Sequence, residues 1–322
     1  MLSKVLENVS TIAIGGHIRP DGDCVGSCVG LGQYIRENYS DKTVDIYLKD
    51  IPESFHLNGT ETILESVDNE EKIYDLFISL DCGDTDRLEY SKSLFVKAKH
   101  TFCVDHHISN IGFAEVNHIV PEASSTSELV YGLLEEEKIS KNVAEALYLG
   151  IVHDTGVFQY SCAGPETFRV AAKLLEKGID APKIIEETFY AKSYAQNLVM
   201  GRALMESILF LNGTGIASFI RKDVMEFYGV RPKDLEGIVS QLRVTEGVEV
   251  AVFMYELRQN EFKVSLRSKE KVDVSRIAQY FGGGGHKKAA GFTMTGTPFD
   301  VLNNLSKQIE AQMEKLEKTQ EQ

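Results

Sequence analysis

The sequence has few cysteines for its length and no pair of them at the spacing of a thiolate metal site. Its 322 residues include five cysteines, an odd number, and none forms a Cys-x-x-Cys pair. This argues against a disulfide framework and against a cysteine-bound zinc site, and it indicates a reducing, cytoplasmic environment. We expect all five to act as small buried apolar side chains: Cys24, Cys28, Cys82, Cys103 and Cys162.

The chain also lacks long hydrophobic runs and any excess of positive charge. No stretch reaches the roughly 20 apolar residues that span a membrane, and the N-terminus has no run of signal-peptide length. The net charge is −14, and residues 1–220 contain 18 basic against 33 acidic residues, whereas residues 221–288 contain 13 against 10. Binding long nucleic acid needs many cations, so we expect a short phosphate-bearing ligand and no membrane partner.

Strand patterns alternate with helical patterns through the first 190 residues, which is typical of an α/β fold with a mostly parallel sheet. Because single cores stop growing near about 250–300 residues, we expect two domains. They are predicted at residues 1–190 and 206–322, the second a smaller α/β domain with a mixed sheet, joined by a helical connector at 191–205.

The local patterns predict most elements individually. The polar segment 53–72 is expected to be a helix with loops, and 248–257 and 262–266 a hairpin that turns at Gln259-Asn260. An amphipathic helix is expected from Phe299 to Leu316. The remaining predictions are strands at 12–14, 43–48, 73–80, 101–104 and 215–220, and helices after Asp23, from Ser125, and at 142–152, 166–177, 181–190 and 273–281.

Clusters of aspartate and histidine follow four of these elements. Ligands of open α/β sheets bind at the carboxyl ends of the strands. Turn and cap preferences could explain any one cluster, but not why all four contain potential metal ligands. The clusters are His17 with Asp21 and Asp23, then Asp81, then Asp105-His106-His107, and finally Asp154.

Imidazole and carboxylate ligands without thiolates suit manganese, cobalt, iron or zinc in a catalytic role. Six ligands suffice for two ions if one carboxylate bridges them, and two such ions activate water for displacement at phosphorus. The second histidine of a His-His pair is better placed as a proton donor or charge stabiliser than as a further ligand. The clusters therefore favour hydrolysis of phosphate esters.

Taken together, the four clusters resemble the motifs of the DHH phosphoesterase superfamily. The run Gly282–Gly285 with His286 and Ala289-Ala290-Gly291 resembles the signature of the DHH-associated C-terminal domain. The combination covers nearly the whole chain and is similar to the branch of oligoribonucleases and pAp phosphatases. It implies a manganese-dependent hydrolase with two metal ions.

The resemblance also implies roles for individual residues. Asp81 would bridge the two ions, Asp105 would orient a ligand histidine, and His107 would face the scissile phosphate, which makes these three the catalytic candidates. The implied metal ligands are His17 and Asp21 on one ion, Asp23, His106 and Asp154 on the other, and Asp81 on both.

Other candidates remain open between functional and structural roles. The glycines Gly283, Gly284 and Gly285 with His286 could form an anion cradle or a flexible turn. Arg267 could contact a phosphate or base, or be a solvated hairpin charge. Ser125 and Glu128 have capping-box spacing, and their hydroxyl-rich neighbourhood could instead hold a phosphate. Four further histidines are expected to be bystanders: His56, His100, His118 and His153.

The expected substrates are RNAs of two to five nucleotides and the 3′-phosphate of pAp. The alternatives are a phosphodiesterase for linear or cyclic dinucleotides (pApA, pGpG, c-di-AMP) and a nucleotide-binding module without activity. The glycine run argues against an inorganic pyrophosphatase, and the length leaves no room for the extra domains of a long-strand exonuclease. A homodimer stays open.

Overall fold

A computed structural model describes residues 2–55, 57–68 and 71–320, with side chains as far as residue 315. The chain divides into two compact units, Met1–Ala191 and Lys192–Gln322. Each unit contains one six-stranded sheet. Among the described residues, no helix combines the length and apolar character that crossing a membrane requires.

The sheet of the first unit is parallel throughout, which confirms the predicted fold class. Its strands are β1 (Thr11–Gly15), β2 (Thr43–Tyr47), β3 (Ile63–Leu64), β4 (Leu76–Leu80), β5 (His100–Asp105) and β6 (Val116–Ile119). They lie in the order β3-β2-β1-β4-β5-β6, and every pairing is parallel. The two edge strands β3 and β6 were not predicted, and both are short and incompletely buried.

Helices cover the sheet of the first unit, and the one after β1 is the most deeply buried. Its residues 22–35 are all buried, including those outside the apolar face of Val25, Cys28, Val29 and Ile35 that the helical spacing predicts. The helices are α1 (Leu2–Val5), α2 (Gly22–Asn38), α3 (Lys92–Lys97), α4 (Thr126–Leu133), α5 (Lys141–Asp154), α6 (Pro165–Leu175) and α7 (Ala181–Ile185), which continues as a π-helical turn at Glu186–Tyr190.

Two predictions for the first unit were wrong. Segment 53–72 forms only the 3-10 turns Glu53–Phe55 and Thr60–Thr62 and strand β3 within its described residues. It has no apolar stripe at helical spacing that a helix could bury. Cys162 is exposed, unlike the other four cysteines, because it lies in the surface connection between α5 and α6.

The second unit has the predicted mixed sheet. Its strands are β7 (Ile208–Phe210), β8 (Gly215–Ile220), β9 (Val250–Arg258), β10 (Glu261–Ser268), β11 (Gly284–His286) and β12 (Ala289–Thr295). They lie in the order β11-β12-β10-β9-β8-β7, with β8 and β9 parallel and the other pairs antiparallel. The hairpin β9–β10 turns at Gln259-Asn260 as predicted, and Asn260 has a φ of 57° there.

The helices of the second unit are α8 (Tyr194–Met205), α9 (Lys222–Tyr228), α10 (Ile238–Arg243), α11 (Val274–Tyr280) and α12 (Pro298–Gln320). Helix α8 packs into the core of this unit through the fully buried Val199 and Ala203. Helix α12 buries Leu305 and Ile309, whereas Phe299, expected on its apolar face, is 59% exposed. The predicted contribution of Leu316 lies outside the described side chains.

Candidate metal centre

The carboxyl edge of the parallel sheet brings together the six predicted metal ligands. His17, Asp21 and Asp23 follow β1, with Asp21 as the N-cap of α2. The other donors come from the segment after β4, the segment after β5 and the end of α5: Asp81, His106 and Asp154.

The first group of donors surrounds His17. Its Nε2 atom lies 3.5 Å from Oδ2 of Asp21 and 3.4 Å from Oδ2 of Asp81. Its Nδ1 atom lies 2.8 Å from the carbonyl oxygen of Ile18, so Nδ1 carries the hydrogen and Nε2 is left for the carboxylates. Asp21 also accepts hydrogen bonds from the backbone N–H groups of residues 23 and 24, which holds its carboxylate in place.

The second group surrounds His106. Its Nε2 atom lies 3.0 Å from Oδ2 of Asp154, 3.7 Å from Oδ1 of Asp81 and 4.0 Å from Oδ2 of Asp23. Its Nδ1 atom faces the carbonyl oxygen of Ala123 at 3.3 Å. Backbone carbonyl oxygens therefore orient the rings of His17 and His106, as hydrogen bonds to the second ring nitrogen do for histidines that bind metals.

Asp81 lies between the two groups, with one oxygen directed at each. Oδ2 faces His17 and Oδ1 faces His106. The residue is 2% exposed and has a φ of 53°, a conformation that costs free energy in residues other than glycine. Strain of this kind is often concentrated at functional sites.

Asp23 is fully buried and bonded to the N-terminus of α4. The N–H of Thr126 donates to Oδ2 at 2.6 Å, and the N–H of Ser127 donates to Oδ1 at 2.8 Å. The hydroxyl of Thr126 also donates to Oδ1 of Asp81, at 3.1 Å. Ser125 caps the helix through the N–H of Glu128. The first N–H groups of α4 therefore bind a carboxylate of the protein, which leaves no support for the phosphate alternative.

This contact depends on the absence of a side chain at Gly150. A Cβ atom there would lie 2.0 Å from Oγ of Ser127 and 2.7 Å from Oδ1 of Asp23. Only glycine at this position lets α5 pack so closely against α2, which contains Asp23, and α4, which contains Ser127.

His107 and Asp105 form a separate pair beside Asp81, so Asp105 orients the ring of His107 and not, as expected, that of a ligand histidine. His107 Nδ1 lies 2.7 Å from Oδ1 of Asp105 and 3.7 Å from Oδ1 of Asp81. Asp105 is fully buried and also accepts from the N–H groups of both adjacent histidines and from Nδ2 of Asn110, at 2.7 Å. Asn110 was not predicted as a site residue, because its only signal in the sequence is its position three residues after His107.

The electrostatics of the cluster reflect an excess of buried carboxylates. Burial and two neighbouring carboxylates raise the pKa of Asp23 well above its ordinary value. Although burial opposes the shift, Asp154 and other carboxylates raise the pKa of His106 to about 10. Cys24 and the surrounding carboxylates likewise raise the pKa of His17, against burial, to about 12. Protons on the imidazoles thus offset negative charge that a divalent cation would also offset.

The donor set fits a divalent metal. Within the described part of the chain, the carboxylates of the centre form ion pairs with histidines and none with lysine or arginine. Donor atoms of Asp23, His106 and Asp154 lie within 4.8 Å of one another, and so do those of His17, Cys24 and Asp81. A thiol was not expected here. Cys24 reaches the centre because it lies on the first turn of α2, directly after Asp23.

The predicted substrate contacts all belong to the second unit. Arg267 on β10 and His286 on β11 are both paired with Ala289 of the strand between them, so they share one register position. The glycine run has a structural reason of its own: a Cβ at Gly283 would lie 2.2 Å from the carbonyl oxygen of Gly291, and one at Gly285 would lie 2.5 Å from that of Ala289. His286 is exposed.

Comparisons with known proteins place this geometry in context. Residues 11–151 match the model of the DHH family, N-terminal domain, and residues 212–315 match that of the DHHA1 domain. The bifunctional oligoribonuclease and PAP phosphatase NrnA of Bacillus subtilis is 29% identical over 90% of this chain and 91% of its own length. The protein of the same name from Thermus thermophilus is 28% identical over 93% of this chain and 89% of its own length. The crystal structure of an exopolyphosphatase-related protein from Bacteroides fragilis has a TM-score of 0.87 at 27% identity, over 96% of this chain and 94% of that one.

Proposed function

Because this chain belongs to the DHH family of phosphoesterases, we propose that it is a manganese-dependent hydrolase of short oligoribonucleotides and of the 3′-phosphate of pAp. The observation that carries the proposal is the position of Asp81, whose two carboxylate oxygens face two separate groups of metal-ligating side chains. A site that binds only one ion, or only a nucleotide, has no need of this arrangement.

The proposed ligands divide between two ions. His17 and Asp21 would hold one, and Asp81, which lies between the two groups, would contribute to both. The other would be held by Asp23, His106 and Asp154, whose donor atoms lie within 4.8 Å of one another. Divalent ions bound in this way lower the pKa of water and offset negative charge on a phosphate. Manganese suits a mixture of imidazole and carboxylate donors better than magnesium, which prefers oxygen ligands.

His107 is proposed to stabilise charge on the substrate phosphate. Its hydrogen bond to Asp105 raises its pKa, against the effect of burial, and so favours the protonated ring. The ring then donates from Nδ1 to Asp105 and has a second proton at Nε2, which it can offer to a phosphate oxygen. Asn110 and two backbone N–H groups hold Asp105, so the ring is oriented before substrate binds.

The second unit is proposed to bind the rest of the substrate. Arg267 and His286 offer cationic or hydrogen-bonding groups at one register position. Gly284 and Gly285 lie on β11, an edge strand that presents unpaired backbone N–H groups to a phosphate on its open side, whereas the N–H of Gly283 already donates to the carbonyl oxygen of Ala278. The acidic character of residues 1–220 argues against long nucleic acid, which supports a short substrate. The two NrnA proteins are named as bifunctional oligoribonucleases and PAP phosphatases, which supports the choice of oligoribonucleotides and pAp. A cytoplasmic location agrees with the free cysteines.

A substrate panel after removal of metal tests the proposal. The panel contains pAp, RNAs of two to five nucleotides, pApA, pGpG, c-di-AMP and pyrophosphate, each with Mn²⁺ or Mg²⁺ added back. We expect Mn²⁺ to restore more activity than Mg²⁺, and pAp and short RNAs to be hydrolysed fastest. Full activity after exhaustive chelation contradicts the metal requirement, and a preference for dinucleotides favours the alternative function.

The variant Asp81→Asn gives the second part of the test. Asparagine tolerates the left-handed backbone of this position better than alanine does, so it removes the charge with least disturbance. We expect a loss of at least about 10³-fold in kcat, since metal activation of water supplies much of the rate enhancement. Asp86→Asn is the matched control, because Asp86 is an exposed carboxylate in the same unit, paired with Lys92. Normal turnover by a folded Asp81→Asn protein refutes the bridging role.

A further inference from the structure

His153 lies beside a proposed metal ligand, at a point where separate segments of the first unit meet. It occupies the last turn of α5, directly before Asp154. Its half-buried ring contacts the rings of Phe55 and Phe189 edge-on, with centroids 4.7 Å and 5.3 Å away. Phe55 belongs to the 3-10 turn that follows β2, and Phe189 to the π-helical turn that follows α7. Elements far apart in sequence therefore enclose the imidazole.

A hydrogen bond fixes the orientation of this ring. Nε2 of His153 lies 3.0 Å from Oγ1 of Thr188, and the same hydroxyl donates to the carbonyl oxygen of Ile184 at 2.7 Å. Because a hydroxyl has one proton, Thr188 accepts the bond from His153, and the imidazole carries a hydrogen at Nε2. Thr188 lies in the π-helical turn, a local structure that is frequent at functional sites.

A steric contact links His153 to the ligand segment itself. Gly22 separates Asp21 from Asp23, and a Cβ atom there would lie 2.3 Å from Cγ of His153 and 2.5 Å from its Cβ. The backbone between these two carboxylates therefore rests directly on the histidine. Since Asp154 is the next residue in the chain, one side chain sets the spacing between two parts of the ligand set.

We propose that His153 is a positioning residue that holds the carboxylates on either side of Gly22 at a fixed distance from Asp154. This inference rests on the proposed metal-dependent function and gives a role to a histidine that was expected to be a bystander. Groups that orient metal ligands typically change metal affinity by about 10- to 100-fold when they are removed. The loss should appear in the binding of the ion itself, before any substrate is present.

The test measures binding of Mn²⁺ alone to chelator-treated protein, from the electron paramagnetic resonance of free Mn²⁺, with circular dichroism as the check on folding. His153→Ala should weaken binding about 10- to 100-fold. His153→Phe keeps a ring without the N–H, and Thr188→Val removes the partner hydroxyl with little change of shape. These two variants should each lose a similar part of the affinity for Mn²⁺, smaller than the loss in His153→Ala. The double variant His153→Phe/Thr188→Val should bind Mn²⁺ no more weakly than either single variant. His100→Ala is the control, an exposed histidine paired with Glu115.

Wild-type affinity for Mn²⁺ in folded His153→Ala overturns the inference, and so does an equal loss in His100→Ala. If His153→Ala does not fold, wild-type affinity in both His153→Phe and Thr188→Val overturns it instead. The inference and the proposed function fail separately, because binding is measured without substrate. A wild-type chain that binds Mn²⁺ but hydrolyses no nucleotide contradicts the proposed function alone.

Discussion

Replacing Gly150 by alanine should damage the metal centre by moving one ligand rather than by removing it. The added Cβ would lie 2.0 Å from Oγ of Ser127 and 2.7 Å from Oδ1 of Asp23. Both separations are far below van der Waals contact, so at least one of the two groups must move away. The N–H of Ser127 donates to that same Oδ1 at 2.8 Å, so the movement weakens the bond that orients the carboxylate.

The size of the effect follows from two opposing terms. Overpacking of a tight contact costs about 1–3 kcal/mol, whereas alanine is favoured over glycine in a helix by about 1 kcal/mol. Gly132 is the matched control, because it lies in α4 of the same unit and a Cβ there meets nothing within 4 Å. The propensity gain is common to both variants, so the difference in unfolding free energy between Gly132→Ala and Gly150→Ala should be about 1–3 kcal/mol.

Two measurements check this expectation. Urea denaturation of the chelated proteins is followed by circular dichroism, since the chain contains no tryptophan. Titration calorimetry with Mn²⁺ should show affinity about 10- to 100-fold weaker for Gly150→Ala and unchanged for Gly132→Ala. If Gly150→Ala matches Gly132→Ala in both stability and Mn²⁺ affinity, α4 does not hold Asp23 in the way described.

Two further predictions concern acid stability and the division of labour between the units. Lys99 and the N–H groups of Thr11 and Ser10 hold the pKa of Asp75 below its ordinary value of 3.8, so its contribution to stability is complete above that pH and is lost as the pH falls below it. Asp75→Asn should therefore lower the free energy of unfolding by about 1–2 kcal/mol at pH 7 and make its decrease below pH 4 less steep. Urea denaturation over a range of pH measures both effects, and an unchanged decrease below pH 4 would contradict the assignment. His107→Ala should lower kcat on every substrate, whereas His286→Ala should raise KM by roughly 10-fold on pAp and pApA with little change in kcat. Steady-state kinetics on both substrates separate the two effects, and an unchanged KM in His286→Ala would contradict the proposed role of the second unit in substrate binding.

The fold could be predicted from the sequence because its signals are local. Short apolar runs that end in glycine, proline or aspartate mark the strands, and their alternation with helical patterns permits few topologies. The elements that were missed or wrong lack such signals. Segment 53–72 has no apolar stripe at helical spacing, so nothing in it supports the expected helix. The edge strands β3 and β6 are short and only partly buried. Packing against a neighbouring strand, not local preference, determines whether such segments pair.

The sequence by itself determined which residues could bind metal, because residue type and position after an element are both encoded locally. Only the tertiary structure decided how they are held. Helix α4 bonds to Asp23, Gly150 makes room for this contact, and His153 packs on Gly22. These contacts join residues up to 131 positions apart in a chain of 322. No pattern within one element contains such information, because close packing depends on the shapes of all the elements that meet there.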